Sequence, residues 1–386
     1  MANHATDTQQ RSLLHLRSCG QSYWLDNLTR DMIRDGELTR RVREEGLGGV
    51  TSNPSTFQKA ITGSPAYDDQ IRTLVAEHLS DREIFQAVMV EDVQQACDIL
   101  LPVYRDTDRL DGYVSLEVSP HHAHDAARTM EEARRLHGLV NRPNLMIKVP
   151  GTSACVPAIE SLLYEGLNIN ITLLFSIEHY QAVAEAYLRA LERRVGEDKP
   201  VDGLASVASF FVSRVDTLVD QLLAHRRDPE RPDSDGLPHE LMGRIAVANA
   251  RVAYKYFKQI FAGERWSKLV RRGARVQRVL WASTGRKNAA YSDVGYIEPL
   301  VGRETVNTMP EGTIRAFADH GQVVADTVEA NVDDALETLR RLEHLGIDYR
   351  CATVQLENEG IQQFIEAYDG CVKAVRQKRE QLQSSA

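Results

Sequence analysis

The 386-residue sequence predicts an α/β protein, because eight short β-runs alternate with longer helical patterns. Several runs are continuously apolar rather than alternating, which is typical of parallel strands covered by helices. Eight such units can build either a closed (β/α)8 barrel or an open, doubly wound sheet. The runs lie, in chain order, at 22–27, 49–53, 112–118, 144–150, 167–175, 203–212, 278–284 and 304–310.

The carboxyl ends of these runs favour the barrel. Seven of the eight runs end in polar or ionisable residues, which are Asp26, Thr51, Ser52, Asn53, Glu117, Lys148, Asn170, Thr172, Ser209 and Ser283. In a closed barrel all strand ends meet at one mouth, whereas an open sheet spreads them along an edge. We therefore predict a (β/α)8 TIM barrel with additional helices.

Helices are predicted where apolar residues recur three and four positions apart. The segments with this pattern are 81–105, 125–139, 177–195, 239–262 and 330–345. The last of them ends at Gly346, a typical C-terminal glycine. The tail beyond about 361 predicts a helix that frays into polar residues.

The domain organisation is predicted to be simple. Residues 225–238 are charged and rich in Pro and Asp, which indicates an exposed loop. The sequence has no internal repeat and no low-complexity linker. We therefore predict one elaborated barrel domain over 1–386, with barrel strands over about 22–310 and C-terminal helices over about 311–386.

Composition and charge exclude several classes of protein. Hydrophobic residues make up 42% and charged residues 26% of the chain, as in ordinary globular proteins. The net charge of −9 is not the basic surplus expected of a nucleic-acid-binding protein. The N-terminus is polar and no run of about 18 apolar residues occurs, so neither a signal peptide nor a membrane span is predicted. Five scattered cysteines without a CxxC motif predict reduced thiols and a cytoplasmic location.

Lys148, in the run LMIKVP, is the first candidate for chemistry. Burial disfavours the charged ammonium and frees the amine to attack a carbonyl as a Schiff-base nucleophile. Glu117 ends the preceding run, so it would lie beside Lys148 and could act as an acid or base around an iminium. A structural ion pair is the alternative. Asp26 adds a third ionisable group at a third strand end. Three such groups at three strand ends disfavour a purely structural role for the set.

Hydroxyl and amide groups form a second set of candidates. Thr51, Ser52 and Asn53 precede Pro54, and they could bind a polyol or cap the following helix. Asn170 and Thr172 lie within an apolar run, where capping does not explain them. The Thr172 hydroxyl could hold a catalytic water, and a satisfied buried polar pair is the alternative.

Two basic segments suit an anionic phosphate. One holds Ser209 and Arg214, and the other holds Ser283, Arg286 and Lys287. Phosphate sites are frequent near strands seven and eight of such barrels, although either segment alone could be a solvated loop. Neither GxxxxGK[ST] nor GxGxxG occurs, so nucleotide binding has no support.

The histidine-rich segment HHAHD invites a metal interpretation. Its residues His121, His122 and His124 do not have the spacing of a recognised ligand set. We instead expect them to be solvated, just before a helix that begins near Asp125. No metal site is predicted.

Taken together, these motifs resemble the transaldolase family in its longer bacterial form. The resemblance spans about 22–310 and rests on LDN (25–27), TSNPS (51–55), SLEVSP (115–120), MIKVPGT (146–152), INITLLFS (169–176), SFFVSRVD (209–216) and WASTGRKN (281–288). It implies an aldolase-type (β/α)8 barrel, a lysine on strand four and a reaction without a cofactor.

The resemblance also implies roles for the candidate residues. Lys148 would form the Schiff base with the ketose donor, and Asp26 would accept the proton of the donor's C4 hydroxyl. Glu117 would activate a water held by Thr172. Binding of the dihydroxyacetone unit would fall to Asn53, Asn170 and Ser209, with Thr51 in support. Arg214 and Ser283 would bind the phosphate together with Lys287 or Arg286.

The predicted function is that of a transaldolase of the pentose phosphate pathway, with phosphorylated sugars as partners and neither nucleic acid nor membrane. The nearest alternative is a fructose 6-phosphate aldolase that releases free dihydroxyacetone. Such relatives tend to have Gln where Glu117 stands. A non-catalytic sugar-phosphate-binding barrel and a scaffold with structural ion pairs are further alternatives. The oligomeric state, monomer or homodimer, stays open.

Overall fold

Eight parallel strands close into a barrel in sequence order in the computed structural model, which describes residues 12–52, 54–225 and 237–384. The last strand pairs with the first, with Val306 opposite Ser22. The strands are β1 (Gln21–Leu25), β2 (Gly49–Thr51), β3 (Tyr113–Glu117), β4 (Leu145–Pro150), β5 (Ile169–Leu174), β6 (Ser206–Phe211), β7 (Arg278–Ala282) and β8 (Thr305–Met309). The predicted (β/α)8 barrel is confirmed, and each predicted run overlaps one strand.

Helices surround the barrel and extend beyond it. Those of the described part are α1 (12–18), α2 (Arg30–Arg34), α3 (Glu37–Glu44), α4 (Pro54–Gly63), α5 (Asp68–Ala76), α6 (Asp81–Asp106), α7 (Ala126–Val140), α8 (Val156–Glu165), α9 (Ile177–Gly196), α10 (Ser213–His225), α11 (Leu237–Leu241), α12 (Ile245–Ile260), α13 (Gly263–Val270), α14 (Glu311–His320), α15 (Val332–His344) and α16 (Tyr349–Ser384).

Local capping explains where several predicted helices begin. Ser80 and Glu83 form a reciprocal capping box at the start of α6. The Asp125 side chain accepts the Arg128 N–H at the start of α7, and the Ser176 hydroxyl accepts the His179 N–H at the start of α9. These side chains satisfy backbone donors that the first helical turn leaves without intrahelical partners.

The single helix predicted over 239–262 is wrong, because the chain breaks there into α11 and α12. Gly243 lies between them with φ +71°, a conformation that favours glycine. A Cβ at this position would also lie 2.7 Å from Cζ of Tyr291. The break therefore allows the connection between β7 and β8 to approach closely.

The tail beyond 361 is helical as predicted, but the helix begins earlier in the chain than expected. α16 begins at Tyr349 and packs across the carboxyl end of the barrel. Among the contacts that hold it, Cys371 Sγ donates to Pro54 O at 2.9 Å, Lys378 pairs with Asp68 at 2.8 Å, and Arg376 pairs with Asp81 at 2.9 Å.

Two further predictions concern regions outside the barrel. Most of the expected loop over 225–238 lies outside the described residues, because the structure does not describe 226–236.

Among the helices of the described ranges, none combines the length and the apolar character needed to cross a membrane. All five cysteines are described, and each has a free thiol.

Candidate active site

Lys148 and Glu117 form a buried ion pair at the mouth of the barrel. Strand register places Lys148 between Glu117 on β3 and Asn170 on β5. Lys148 Nζ donates to Glu117 Oε2 at 3.1 Å, and the two side chains are 10% and 6% exposed. Burial raises the pKa of Glu117, whereas the charge of Lys148 opposes that rise. Glu117 is thus a carboxyl group that holds a proton more readily than a solvated one, beside an amine.

Asp26 follows β1 and faces the same mouth. Its backbone N–H donates to Met309 O at 2.9 Å, which fixes the chain at the strand end. Thr51 Oγ1 donates to Asp26 Oδ1 at 3.2 Å and lies 2.9 Å from Thr308 Oγ1. Burial raises the pKa of Asp26, and the positive charge of Lys148 is the largest opposing influence. A carboxylate with a raised pKa is a better proton acceptor than a solvated one.

Asn170 and Thr172 lie on one face of β5, since side chains two positions apart share a face. Asn170 Nδ2 donates to Ser115 Oγ at 3.0 Å, and Asn170 Oδ1 accepts from Ser209 Oγ at 2.7 Å. Both ends of the Asn170 side-chain amide therefore have hydrogen-bond partners, as the alternative of a satisfied buried polar pair predicts. The Thr172 hydroxyl, in contrast, is buried without a hydrogen-bond partner in the described part of the chain.

The β5–β6 register shifts beside Thr172. The irregularity falls between Ile171 and Leu174, and Leu173 adopts φ +64°. A left-handed conformation at a non-glycine residue costs on the order of 1 kcal/mol, and such distortions concentrate at functional sites. The shift re-aims side chains at the strand end, as β-bulges do.

A cationic cavity adjoins the lysine. Arg214, in the first turn of α10, lies over the rings of Phe211 and Phe364, with its Cζ 5.3 and 5.9 Å from their centroids. Burial lowers its pKa, while the charges of Asp26 and Glu117 oppose that change. Its Nη1 is buried and has no hydrogen-bond partner among the described residues. Arg214 and Lys287 both line a cavity of about 320 Å³.

The geometry separates the two basic residues of the β7–β8 connection. Lys287 faces the cavity of Arg214, and its charge acts on Asp26. Both side chains are exposed, but Arg286 Nη1 donates within its own loop, to Ala289 O at 3.4 Å and Tyr291 O at 3.3 Å. Ser283 lies at the end of β7 with φ +55°, and its Oγ is 3.0 Å from Ser213 Oγ. Asn53 lies outside the described residues.

The helix α16 contributes residues to the site that the sequence did not predict. The Phe364 ring centroid lies 5.2 Å from Lys148 Nζ, within the range of a cation–π contact. A Cβ on Gly360 would lie 2.9 Å from Leu173 Cδ2, so glycine permits the helix to approach the strand ends closely. Gln355, Glu359 and Gln363 complete the wall of the cavity opposite Arg214. No strand-end pattern could have revealed residues on a terminal helix.

The histidine-rich segment follows its prediction in part. His121 and His124 are exposed, and only His122 is half-buried. His121 Nε2 also lies 2.9 Å from Asp369 Oδ1 on α16, and His122 Nε2 lies 3.8 Å from Glu132 Oε2. Within the described ranges, no group of three or more His, Cys, Asp or Glu side chains could hold a metal ion.

At the mouth of this closed parallel barrel, carboxyl groups flank a buried amine. This arrangement is typical of enzymes that form a Schiff base with a carbonyl substrate. This fold and this site together define a barrel enzyme of the aldolase type. The adjoining pocket of guanidinium and ammonium groups suits a substrate that carries an anion away from the carbonyl.

Comparison with known proteins gives the family. The model of the transaldolase/fructose-6-phosphate aldolase family matches residues 23–375, and the chain belongs to this family. It is 45% identical over 373 residues to "Transaldolase 2" of Nostoc punctiforme, covering 95% of this chain and 97% of the relative. It is 45% identical over 356 residues to the transaldolase of Thiobacillus denitrificans, covering 92% and 97%. The resemblance and the enzyme class predicted from the sequence are confirmed.

Proposed function

We propose that this chain is a transaldolase that moves a dihydroxyacetone unit from sedoheptulose 7-phosphate to glyceraldehyde 3-phosphate, yielding erythrose 4-phosphate and fructose 6-phosphate. The observation that carries the proposal is the buried Lys148–Glu117 pair on neighbouring strands, 3.1 Å apart at the barrel mouth. The names of the relatives support the same reaction. The pentose phosphate pathway is the route in which this exchange belongs.

The first step makes the Schiff base. The Lys148 amine attacks the C2 carbonyl of the ketose, a C–N bond forms, and the carbonyl oxygen leaves as water after protonation. Glu117 supplies and removes the protons through a water that the Thr172 hydroxyl holds. Two features support these roles: burial raises the pKa of Glu117, and Glu117 Oε1 and Thr172 Oγ1 lack hydrogen-bond partners in the described chain.

The second step breaks the C3–C4 bond. Asp26 takes the proton of the C4 hydroxyl, the aldose product leaves, and the electron pair of the broken bond enters the iminium to give an enamine. The enamine then attacks the acceptor aldehyde, and Asp26 returns the proton to the new hydroxyl. Water hydrolyses the resulting iminium, which breaks the C–N bond, releases the ketose product and restores the Lys148 amine. Phe364 covers the Lys148 amine from α16, which keeps water from the enamine and favours transfer.

Binding is shared between two ends of the site. Asn170, Ser209 and Asn53 bind the dihydroxyacetone hydroxyls, and Thr51 supports Asp26. Arg214, Ser283 and Lys287 bind the substrate phosphate. Lys287 is favoured over Arg286 because it lines the same cavity as Arg214.

The organisation of the chain is also part of the proposal. Residues 1–386 form one elaborated barrel domain in which α16 is part of the active site. A cytoplasmic location, no cofactor and a monomer or homodimer are the expectations carried from the sequence. The five free thiols support the reducing compartment.

Fructose 6-phosphate aldolase is the second candidate function, and two observations disfavour it. Glu117 occupies the position where such relatives tend to have Gln, and the similar proteins named above are transaldolases. The two activities differ in the fate of the enamine, which an acceptor captures in a transaldolase and water protonates in an aldolase.

A trapping experiment tests the mechanism. Incubation with fructose 6-phosphate followed by borohydride should add one reduced dihydroxyacetone unit to Lys148, as located by peptide mass spectrometry. Lys148→Ala should give no adduct, while the matched control Lys268→Ala, on the exposed face of α13, should react fully. An adduct that persists in Lys148→Ala would overturn the assignment of the Schiff base.

A second measurement separates transfer from release. Erythrose 4-phosphate added to the untrapped enamine should discharge it to a seven-carbon product. Release of free dihydroxyacetone at the same rate would favour the aldolase instead. Lys287→Ala should raise KM for fructose 6-phosphate at least tenfold, by loss of a charge-assisted contact, while Arg286→Ala leaves it within about twofold. Equal effects of the two substitutions would contradict the phosphate assignment.

A further inference from the structure

Two buried carboxyl groups beneath the phosphate cavity take no part in the steps above. Asp216 and Asp220 follow Arg214 on α10 and lie one helical turn apart. Their residues are 1% and 8% exposed. Burial of a carboxylate is costly unless hydrogen bonds compensate it, so their partners indicate what they hold in place.

Each carboxyl group makes the same two kinds of contact. Asp216 accepts the Ala246 N–H at 2.7 Å and the Tyr296 hydroxyl at 2.9 Å. Asp220 accepts the Gly243 N–H at 2.9 Å and the Tyr291 hydroxyl at 2.6 Å. Through a backbone N–H, Asp220 fixes the α11–α12 break and Asp216 fixes the start of α12. Each carboxyl group also holds one tyrosine of the β7–β8 connection.

Lys287 lies on this same connection, four residues before Tyr291. α10 therefore carries one phosphate-binding cation directly, as Arg214, and restrains the second through the two tyrosines. Burial raises the pKa of Tyr291 and of Tyr296, so both hydroxyls remain protonated donors.

Residues 286–290 of the connection, which include Lys287, are exposed. A second cavity, of about 300 Å³, separates parts of the connection from α10 and is lined by Lys287, Asn288 and both tyrosines. The ion pair between Asp293 and His320 is exposed, with side chains 39% and 49% accessible, and such pairs contribute little. The tyrosine hydroxyls, together with the Ser213–Ser283 contact at the start of the connection, thus attach the segment that carries Lys287 to α10.

We propose that the Asp216–Tyr296 and Asp220–Tyr291 hydrogen bonds are positioning contacts that set the distance between Lys287 and Arg214 for the substrate phosphate. The four residues do not touch the substrate and act through Lys287. This inference rests on the proposed phosphate role of Lys287. It predicts that loosening the connection weakens recognition of the phosphate without affecting the chemistry at Lys148.

The test removes only the hydroxyls, in Tyr291→Phe, Tyr296→Phe and the double variant. We expect the double variant to raise KM for fructose 6-phosphate, and the inhibition constant of inorganic phosphate, about tenfold. Its kcat should stay within about twofold, and kcat/KM for unphosphorylated fructose should not change. Tyr187→Phe is the matched control, because its hydroxyl donates to Arg275 O at 2.8 Å, which precedes β7 and lies outside the connection that carries Lys287.

Measurements on Lys287→Ala distinguish failure of the proposed phosphate role of Lys287 from failure of the positioning role of the tyrosines. If Lys287→Ala itself leaves KM unchanged, the phosphate role of Lys287 is wrong. If Lys287→Ala raises KM but the double tyrosine variant does not, or affects unphosphorylated fructose equally, the positioning role is wrong. If both raise KM, adding the tyrosine substitutions to Lys287→Ala should give no further increase. Should the tyrosine variants fail to fold, Asp220→Ala removes the hydrogen bond to Tyr291, together with the one to Gly243, and must show the same pattern.

Discussion

Two buried ion pairs occupy opposite ends of this barrel and differ in what surrounds them. Lys148 and Glu117 lie at the carboxyl ends of the strands, and Arg278 and Asp111 lie at the amino ends. Both pairs have a shortest N–O distance of 3.1 Å, and each side chain is 10% exposed or less. Distance and burial therefore do not distinguish a reactive pair from a structural one.

The hydrogen bonds around the pairs do distinguish them. Asp111 accepts bonds from Ser22 Oγ, Trp24 Nε1 and Arg278 Nη1, and Arg278 Nη2 donates to Ser22 Oγ and to Thr305 O. Of that pair, only Arg278 Nε lacks a partner within the described ranges. At the mouth, Glu117 Oε1, Thr172 Oγ1 and Arg214 Nη1 lack hydrogen-bond partners among the described residues. The Glu117 carboxylate therefore keeps an open acceptor oxygen beside the amine, whereas both carboxylate oxygens of Asp111 are used.

The largest expected effect comes from replacing Lys148, in the ion pair at the barrel mouth, with a cation of different chemistry. Lys148→Arg retains a cation beside Glu117 but cannot form a Schiff base, so kcat should fall at least about a thousandfold. The measurement is the rate of transfer from fructose 6-phosphate to erythrose 4-phosphate. Residual activity above a few per cent would show that the mouth pair is not the reactive one.

Breaking the pair at the amino ends should affect stability instead. Arg278→Met leaves Asp111 buried without its cation, which should lower the free energy of unfolding in urea by about 3–5 kcal/mol. Turnover per folded molecule should remain within about twofold. Lys148→Met provides the contrast and should cost less stability, because Glu117, with its raised pKa, can take up a proton. Loss of turnover in a folded Arg278→Met would contradict the division of roles.

Asp216 extends the comparison to a buried carboxyl group held by neutral donors. Burial raises its pKa to about 7, against roughly 3.9 in an unfolded chain, so the folded state binds the proton more tightly. Stability from this group is complete below about pH 4 and is lost as the pH rises to about 7. Between pH 5 and 8 the wild type should therefore lose about 2 kcal/mol relative to Asp216→Asn, measured by urea unfolding. A stability difference that does not vary with pH would contradict the raised pKa.

The smallest expected effect concerns the cover over the mouth. Phe364→Ala removes the ring over Lys148 and admits water to the enamine, so release of free dihydroxyacetone relative to transfer should rise about fivefold. Chromatography of the products measures this ratio. Phe364→Leu keeps most of the volume and should change the ratio by less than about twofold. An unchanged ratio in Phe364→Ala would show that α16 does not exclude water.

The sequence predicted the barrel well because its signals are local. Continuous apolar runs mark the strands, and polar strand ends mark the mouth, so Lys148, Glu117 and Asp26 could be assigned to one site. The failures involve contacts between distant segments. The break at Gly243 depends on the approach of Tyr291, and α16 is anchored in part by the bond from Cys371 to Pro54, 317 residues apart.

By itself, the sequence determined the eight strands, their order and the chemistry collected at their carboxyl ends. These follow from strand periodicity and from the common direction of parallel strands, which are properties of each βα unit. Only the tertiary structure decided that Lys287 rather than Arg286 faces Arg214, that Phe364 covers Lys148, and which buried polar atoms remain without partners. Those outcomes depend on the packing of segments far apart in the chain, because a hydrogen bond is satisfied or left open only when its neighbours are in place.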